Sequence, residues 1–263
     1  MTYLVLLIFG LAFGSFINAF VWRYHENKDW IRGRSECVSC GHRLSVIDLV
    51  PIFSWIALKG KCRYCRKRIS IQYPLIELTL PILFVLSYYY WPIRLVGILQ
   101  PIIFILWLAL ITGLTVLAIY DIRWMKLPTK IIYFLLAIEL VSVIIQISDK
   151  PRFATALNFL LASAVGGGLF YILYLVSRGR WIGGGDVRLG FLLGLIVSSV
   201  AKSFLLIFLA SLLGTLFAAV LLAIGKLSRK HIIPFGPFLI LSTIIVQLAG
   251  SDILNWYKTT FLR

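Results

Sequence analysis

Two aspartates stand out in a chain poor in acids. Asp121 opens the run Asp121-Ile122-Arg123-Trp124-Met125-Lys126-Leu127-Pro128, and Asp186 closes Gly183-Gly184-Gly185-Asp186, a GxGD pattern. A pair of carboxyl groups close enough to share one proton can cleave an amide. The ionised member deprotonates a water, and the protonated member polarises the carbonyl and supplies the leaving amine with a proton. Glycines before the acid, Gly183 and Gly185 among them, would let backbone and substrate approach it closely. GxGD alone is a weak pattern, and a single acid at a helix end is equally well an interfacial charge. The argument therefore depends on whether the two acids meet.

A second set of reactive residues is the four cysteines, Cys37, Cys40, Cys62 and Cys65, in the spacing C-x2-C-x21-C-x2-C. In a reducing compartment this pattern reads as a closed tetrahedral zinc site of structural type. Two disulfides, if the loop faced an oxidising side, or four free thiols are the other readings. Lys59, Lys61, Arg63, Arg66, Lys67 and Arg68 would favour the thiolate form. A loop of this size has little apolar matter of its own, so a metal would help it fold.

The elements that must position these groups are membrane helices. Hydrophobic residues make up 60% of the 263, charged residues only 14%, and mean hydropathy is +0.95, far from the composition of a soluble domain. Apolar runs long enough to cross a bilayer fall near 2–22, 73–92, 97–120, 131–148, 153–176, 187–201, 203–225 and 232–251, the sixth being short. The expectation is an all-α polytopic bundle of about eight transmembrane helices. Its parts would be a first helix (1–22), a zinc-binding loop domain (23–72) and a seven-helix core (73–263). The first run lacks a basic n-region and a small-residue cleavage site, and so reads as a retained span.

Assigning alternate connections to opposite sides puts 20 of the 26 Lys and Arg on one side. They lie in 23–68, at Arg123, Lys126 and Lys130, at Arg178, Arg180 and Arg188, and at Lys226, Arg229 and Lys230. The other side keeps Arg94, Lys150, Arg152, Lys202, Lys258 and Arg263. The basic side is expected to be cytoplasmic and both termini outside, in a plasma membrane. This asymmetry, with attraction to membrane lipid, accounts for the net charge of +16 without nucleic acid. Two spans separate Asp121 from Asp186, so both face the same, cytoplasmic boundary. Asp121 ends one helix and Asp186 begins another, so the helix dipoles favour the shared proton on Asp121, against the pull of Arg123 and Lys126.

Ser15 and Asn18 share a face of the first helix and read as helix-packing polar groups or as site residues. Glu77 and Glu139 are costly in lipid; Glu77 lies at the depth of the two acids and is a candidate supporting residue, whereas Glu139 is deeper. Gly190 and Gly194 form a GxxxG packing seam next to Asp186. His25, His42 and His231 read as interfacial groups rather than metal ligands. Glu26, Asp29, Glu36 and Asp48 could attract a basic peptide, or be solvated surface charges. A proton- or ion-coupled transporter would also use intramembrane acids, but near the midplane between inverted repeats. A non-enzymatic zinc-bearing scaffold would need the cysteines alone.

Taken in order, the residues resemble the bacterial type IV prepilin peptidases, a family of GxGD membrane aspartyl proteases. The resemblance runs nearly end to end. It is carried by Gly14-Ser15-Phe16-Ile17-Asn18 and Arg23, the two CxxC pairs flanking Asp48-Leu49-Val50-Pro51 and Ser54, Lys59-Gly60-Lys61-Cys62, and Ile69-Ser70. Tyr73-Pro74-Leu75-Ile76-Glu77 follows, then Asp121 through Leu127-Pro128, Gly183 through Leu189, and Ile233-Pro234-Phe235-Gly236-Pro237. Arg188 stands where the family more often has Lys, which keeps the charge. The resemblance implies that Asp121 and Asp186 are the catalytic pair, with Pro128, Arg188, Asn18 and Glu77 as site-supporting residues. It further implies removal of a short basic leader from prepilins and pseudopilins, after a glycine. Some members also methylate the new N-terminus from S-adenosylmethionine, for which the chain shows no Gly-rich nucleotide fingerprint. Oligomeric state is left open.

Overall fold

A computed structural model of the chain describes residues 1–30, 33–92, 95–149, 151–225 and 233–261. Of the residues used in the charge count and span assignment, Arg32, Arg94, Lys150, Lys226, Arg229, Lys230, His231, Ile232 and Arg263 lie outside them. The described residues form nine α-helices: α1 (Thr2–His25), α2 (Phe53–Ala57), α3 (Gln72–Tyr89), α4 (Leu99–Trp124), α5 (Thr129–Asp149), α6 (Phe153–Ser177), α7 (Gly184–Val197), α8 (Val200–Ala223) and α9 (Gly236–Phe261). A 3-10 turn covers Val46–Leu49, and among the described residues there is no strand, only two isolated bridges.

Eight of the helices match the eight apolar runs; the ninth, α2, is a short loop helix. Six of them, α1, α4, α5, α6, α8 and α9, are long and apolar enough to cross a membrane. The other two helices that match apolar runs, α3 and α7, are not among these six. At 1.5 Å per residue the 14 residues of α7 reach only about 21 Å, short of a hydrocarbon core of about 30 Å, and α3 is diluted by Gln72, Glu77 and two prolines, Pro74 and Pro81. The last helix begins near the expected start but runs on to Phe261.

The chain divides into two compact units, Met1–Tyr89 and Tyr90–Arg263. In the first, α3 packs along α1. The small residues of α1 make this pairing possible. A Cβ on Gly14 would lie 2.8 Å from Glu77 Cα, and one on Gly10 would run into the Pro81 ring. The fully buried Ile17, Leu80 and Phe84 fill the seam.

In the second unit α7 is the central element, packed against α5, α6, α8 and α9. Nine of its fourteen residues are buried, from Val187 to Val197, which is why a helix apolar on all sides can be so short. The expected GxxxG seam is present. A Cβ on Gly190 would lie 2.6 Å from the Gly166 carbonyl oxygen, and one on Gly194 would strike the Ala162 carbonyl, both on α6. Hydroxyls tie the same helices, with Ser163 donating to the Phe191 carbonyl at 3.0 Å and Ser203 of α8 to that of Ala162 at 2.9 Å. On α8 only Ser203, Leu206 and Ala210 are buried, while Phe204, Phe208, Leu212, Leu216 and Val220 are exposed, as lipid-facing residues are.

Candidate active site

Asp121 sits in the last turn of α4, which ends at Met125 in the left-handed conformation, the Met125 N–H returning to the Asp121 carbonyl at 2.9 Å. Its side chain is buried. The first N–H groups of a helix have no partner inside it, and one of those of α9 is satisfied from here: Gly236 N–H donates to Asp121 Oδ2 at 2.9 Å. A carboxylate from α4 thereby caps the positive end of α9, where a charge-assisted bond and the helix dipole act together. A Cβ at position 236 would lie 2.6 Å from that oxygen, so only glycine fits.

Asp186 occupies the first turn of α7, whose N-cap is Gly183. Its backbone N–H donates to the Gly183 carbonyl at 3.1 Å, and a Cβ on Gly183 would stand 3.4 Å from Asp186 Oδ2. Gly185 faces Leu127 in the turn between α4 and α5, with 3.0 Å from an added Cβ to that side chain. Pro128 precedes α5 and its carbonyl accepts from Ile131 and Ile132, a place where the lack of an N–H costs nothing. Arg188 Nη1 donates to Thr129 Oγ1 at 3.1 Å, tying α7 to the start of α5.

The end of α4 and the starts of α5, α7 and α9 therefore converge, bringing Asp121 and Asp186 to the same end of the second unit. Both helices separating the two acids in sequence, α5 and α6, are long and apolar enough to span. Asp121, Asp186, Gly183, Gly185, Pro128 and Arg188 thus gather at one end of the second unit. Gly236 joins them; it lies in the Ile233-Pro234-Phe235-Gly236-Pro237 stretch that carried the family resemblance, but nothing in that stretch announced its contact with Asp121.

Asn18 and Glu77 belong to the first unit, at the α1–α3 seam. Asn18 Nδ2 donates to the carbonyls of Gly14 and Tyr73, at 3.3 and 3.1 Å. Glu77, also buried, accepts from Ile52 N–H at 2.7 Å and is bonded to Ser15. The Ile52 backbone has φ 64° and ψ −52°, with Phe53 N–H bonded to the Pro51 carbonyl, a γ-turn that a β-branched residue adopts only under constraint. Glu77 holds that turn onto α3.

The four cysteines are free thiols with all sulfur atoms within 4.8 Å of one another, Cys37 Sγ and Cys65 Sγ being 3.9 Å apart. Ligands of a tetrahedral Zn–S centre are roughly 3.8 Å apart, so the cluster fits a metal and is not paired into disulfides. The two CxxC segments are copies of one knuckle. Each is closed by an isolated bridge, Glu36 to Arg43 and Lys61 to Arg68, and by a bond at 2.9 Å, from Cys37 N–H to the His42 carbonyl and from Cys62 N–H to that of Lys67. The residue after the second cysteine has positive φ in both, Gly41 at 69° and Arg66 at 58°. Burial works against ionisation of Cys37, but backbone hydrogen bonds at Ser39 and Cys40 bring it down to about 7.

Asp48 joins the halves of the loop. Its Oδ1 accepts from Arg63 Nε at 2.7 Å, and its Oδ2 from Ser45 Oγ at 2.8 Å and Tyr64 OH at 3.1 Å. Burial would push this carboxyl up, yet the Arg63 guanidinium, with Ser45 and Tyr64, holds it down to about 2. Glu36 pairs with Lys28 at 2.9 Å. Two of the four acids that could have received a basic peptide are therefore engaged within the loop.

Comparison with known proteins agrees with this division. The bacterial peptidase A24 N-terminal domain matches residues 8–91, and the type IV leader peptidase family matches residues 108–219. The prepilin leader peptidase/N-methyltransferase of Bacillus subtilis (strain 168) is 31% identical over 257 residues, covering 96% of both chains. The proteins of the same name from Stutzerimonas stutzeri and Vibrio cholerae are 27% and 29% identical, over 95% and 94% of this chain and 92% and 97% of their own lengths. No solved structure matches. With two acids at one end of a helical membrane unit, a four-cysteine loop in the other, and relatives alike along nearly their whole length, the chain belongs to the type IV leader peptidase family.

Proposed function

We propose that the chain is a membrane-embedded aspartyl endopeptidase that removes the short basic leader of prepilins and pseudopilins after a glycine. The observation that carries this reading is the convergence of Asp121 and Asp186 where the end of α4 meets the starts of α5, α7 and α9. The pair shares one proton. The ionised carboxylate takes a proton from water as that water attacks the scissile carbonyl, the protonated partner polarises the carbonyl oxygen, and the leaving amine is protonated as the C–N bond breaks. Gly236 N–H fixes one oxygen of Asp121, and Gly183, bare of a side chain beside Asp186, lets an extended peptide approach that acid.

The substrate is itself an apolar helix with a polar start, which enters from the lipid and presents its junction at the boundary. The basic side, and with it the acids, is cytoplasmic, and both termini are outside. The cysteine cluster holds zinc with four sulfurs and no open position, a structural role. Acids at helix ends, rather than at the midplane, speak against an ion-coupled transporter.

The relatives' name carries a second activity, and we extend it to this chain: methyl transfer from S-adenosylmethionine to the new N-terminal amine. A cavity in the first unit is lined by four cationic side chains against two acidic ones, the wrong balance for a sulfonium, so no step of methyl transfer is derived from it.

The test is cleavage of a co-reconstituted prepilin by wild type, Asp121→Asn and Asp186→Asn, with the product N-terminus read by mass spectrometry. Wild type alone should lose the leader after glycine, each variant falling by at least about a thousandfold. A further methyl mass with S-adenosylmethionine assigns the second activity. Cleavage surviving both substitutions would make the acids structural and the reading wrong.

A further inference from the structure

Where α1 gives way to the loop lies a cavity of about 520 Å³, within the size range of small-ligand sites. Arg23, Lys28, Arg34 and Arg43 line it against only Asp29 and Glu36. Glu36 is already taken by Lys28, whose Nζ also stands 4.2 Å from the Trp22 ring centroid. Arg23 is buried and fixed, its guanidinium donating to the Trp30 carbonyl and Ser35 Oγ, both at 3.4 Å. Gly33 lies flat against it, an added Cβ falling 3.2 Å from Arg23 Nε. Arg34 and Arg43 have no side-chain ion pair or hydrogen bond among the described residues. Four cationic groups against two carboxylates leave the lining with a net charge of +2, which a bound anion would offset.

We propose that this cavity binds the phosphate of an anionic phospholipid headgroup. A free phosphate would have the same charge, but the placement favours a lipid. The apolar run of α1 ends at Trp22 and Arg23, the depth of the headgroup layer. The loop folds back to that depth, Trp30 packing edge-on against Phe20 of α1 with ring centroids 5.3 Å apart. Trp22, at the end of α1, lines the cavity beside the cationic side chains. Phosphate-seeking guanidiniums beside an interfacial tryptophan suit a headgroup whose glycerol and chains continue into lipid.

The test uses the full-length protein in nanodiscs holding equal phosphatidylglycerol and phosphatidylcholine, with retained lipid read by native mass spectrometry. Wild type should keep phosphatidylglycerol in preference to phosphatidylcholine. The double variant Arg34→Gln/Arg43→Gln should retain it on the order of thirtyfold more weakly, while Arg178→Gln/Arg180→Gln, which removes two cations elsewhere, should match wild type. Equal retention of the two lipids by wild type, a measurement that needs no variant, would overturn the proposal. So would undiminished retention in the cavity variant, or displacement of the lipid by millimolar inorganic phosphate, which would identify a soluble anion as the occupant.

Discussion

Gly236 N–H donates to Asp121 Oδ2 at 2.9 Å, joining the last helix to the fourth across 115 residues of sequence. The bond fixes one oxygen of the acid and ties the start of α9 to the site. Because the space a Cβ would need is filled by that oxygen, Gly236→Ala must displace either the carboxyl or the helix. Prepilin cleavage should fall at least about tenfold, with membrane insertion unchanged. Gly168→Ala on α6, where a Cβ meets nothing within 4 Å, is the matched control and should cleave as wild type; comparison of initial rates checks both.

Asp48 gives the loop an unusual acid tolerance. Its carboxyl is held at about 2, below its value in an unfolded chain, so the stabilisation it lends is complete above about pH 4 and is lost as pH falls through about 2. Asp48→Asn should therefore raise amide exchange across 45–65 by the same factor at pH 7 and at pH 5, the gap closing only toward pH 2. A gap that closed between pH 7 and 5 would show that this carboxyl titrates in the ordinary range.

Removal of metal should loosen the loop and spare the helices. A strong chelator should release one zinc per chain and open residues 35–70 to protease, because the four sulfurs are the element common to both knuckles. Cys62→Ser should do the same without chelator. The check is metal analysis beside limited proteolysis, and helix content by circular dichroism should barely change.

After the second cysteine the two knuckles share a positive φ but carry different residues, and exchanging the residue types there should have opposite effects. Gly41→Ala places a side chain at φ 69° and should destabilise the loop by about 1 kcal/mol, whereas Arg66→Gly relieves a side chain at φ 58° and should stabilise it by up to about 1 kcal/mol. Exchange rates across 35–70, measured on metal-loaded protein, give both signs.

The legible parts of this molecule are those written in local periodicity or in residue chemistry. Apolar runs located eight helices, and the two spans between Asp121 and Asp186 returned the chain to one face whatever the other helices did. Cysteine spacing gave the four-cysteine cluster, and GxxxG gave the α6–α7 seam. What could not be read is set by contacts between distant segments. Gly236 touches Asp121 only because α9 docks on α4. Asp48 looked like a surface acid until the second knuckle brought Arg63 and Tyr64 to it. The attachment of α3 to α1 depends on small residues at 10 and 14 meeting Pro81 and Glu77, and hydropathy does not encode which helix is a neighbour. The burial of α7 was equally hidden, since a helix wrapped in protein and one wrapped in lipid have the same composition.

That wrapping gives α7 a freedom its neighbours lack. A helix in contact with lipid must match the thickness of the bilayer or tilt to fit it, and its ends shift when fatty-acid length changes with temperature or growth phase. The length of α7 answers only to α5, α6, α8 and α9, and the acid in its first turn is referenced to Gly183 and Leu127 rather than to a headgroup plane. A cell remodelling its membrane can thin or thicken it around the outer helices while Asp186 keeps its place relative to the start of α5.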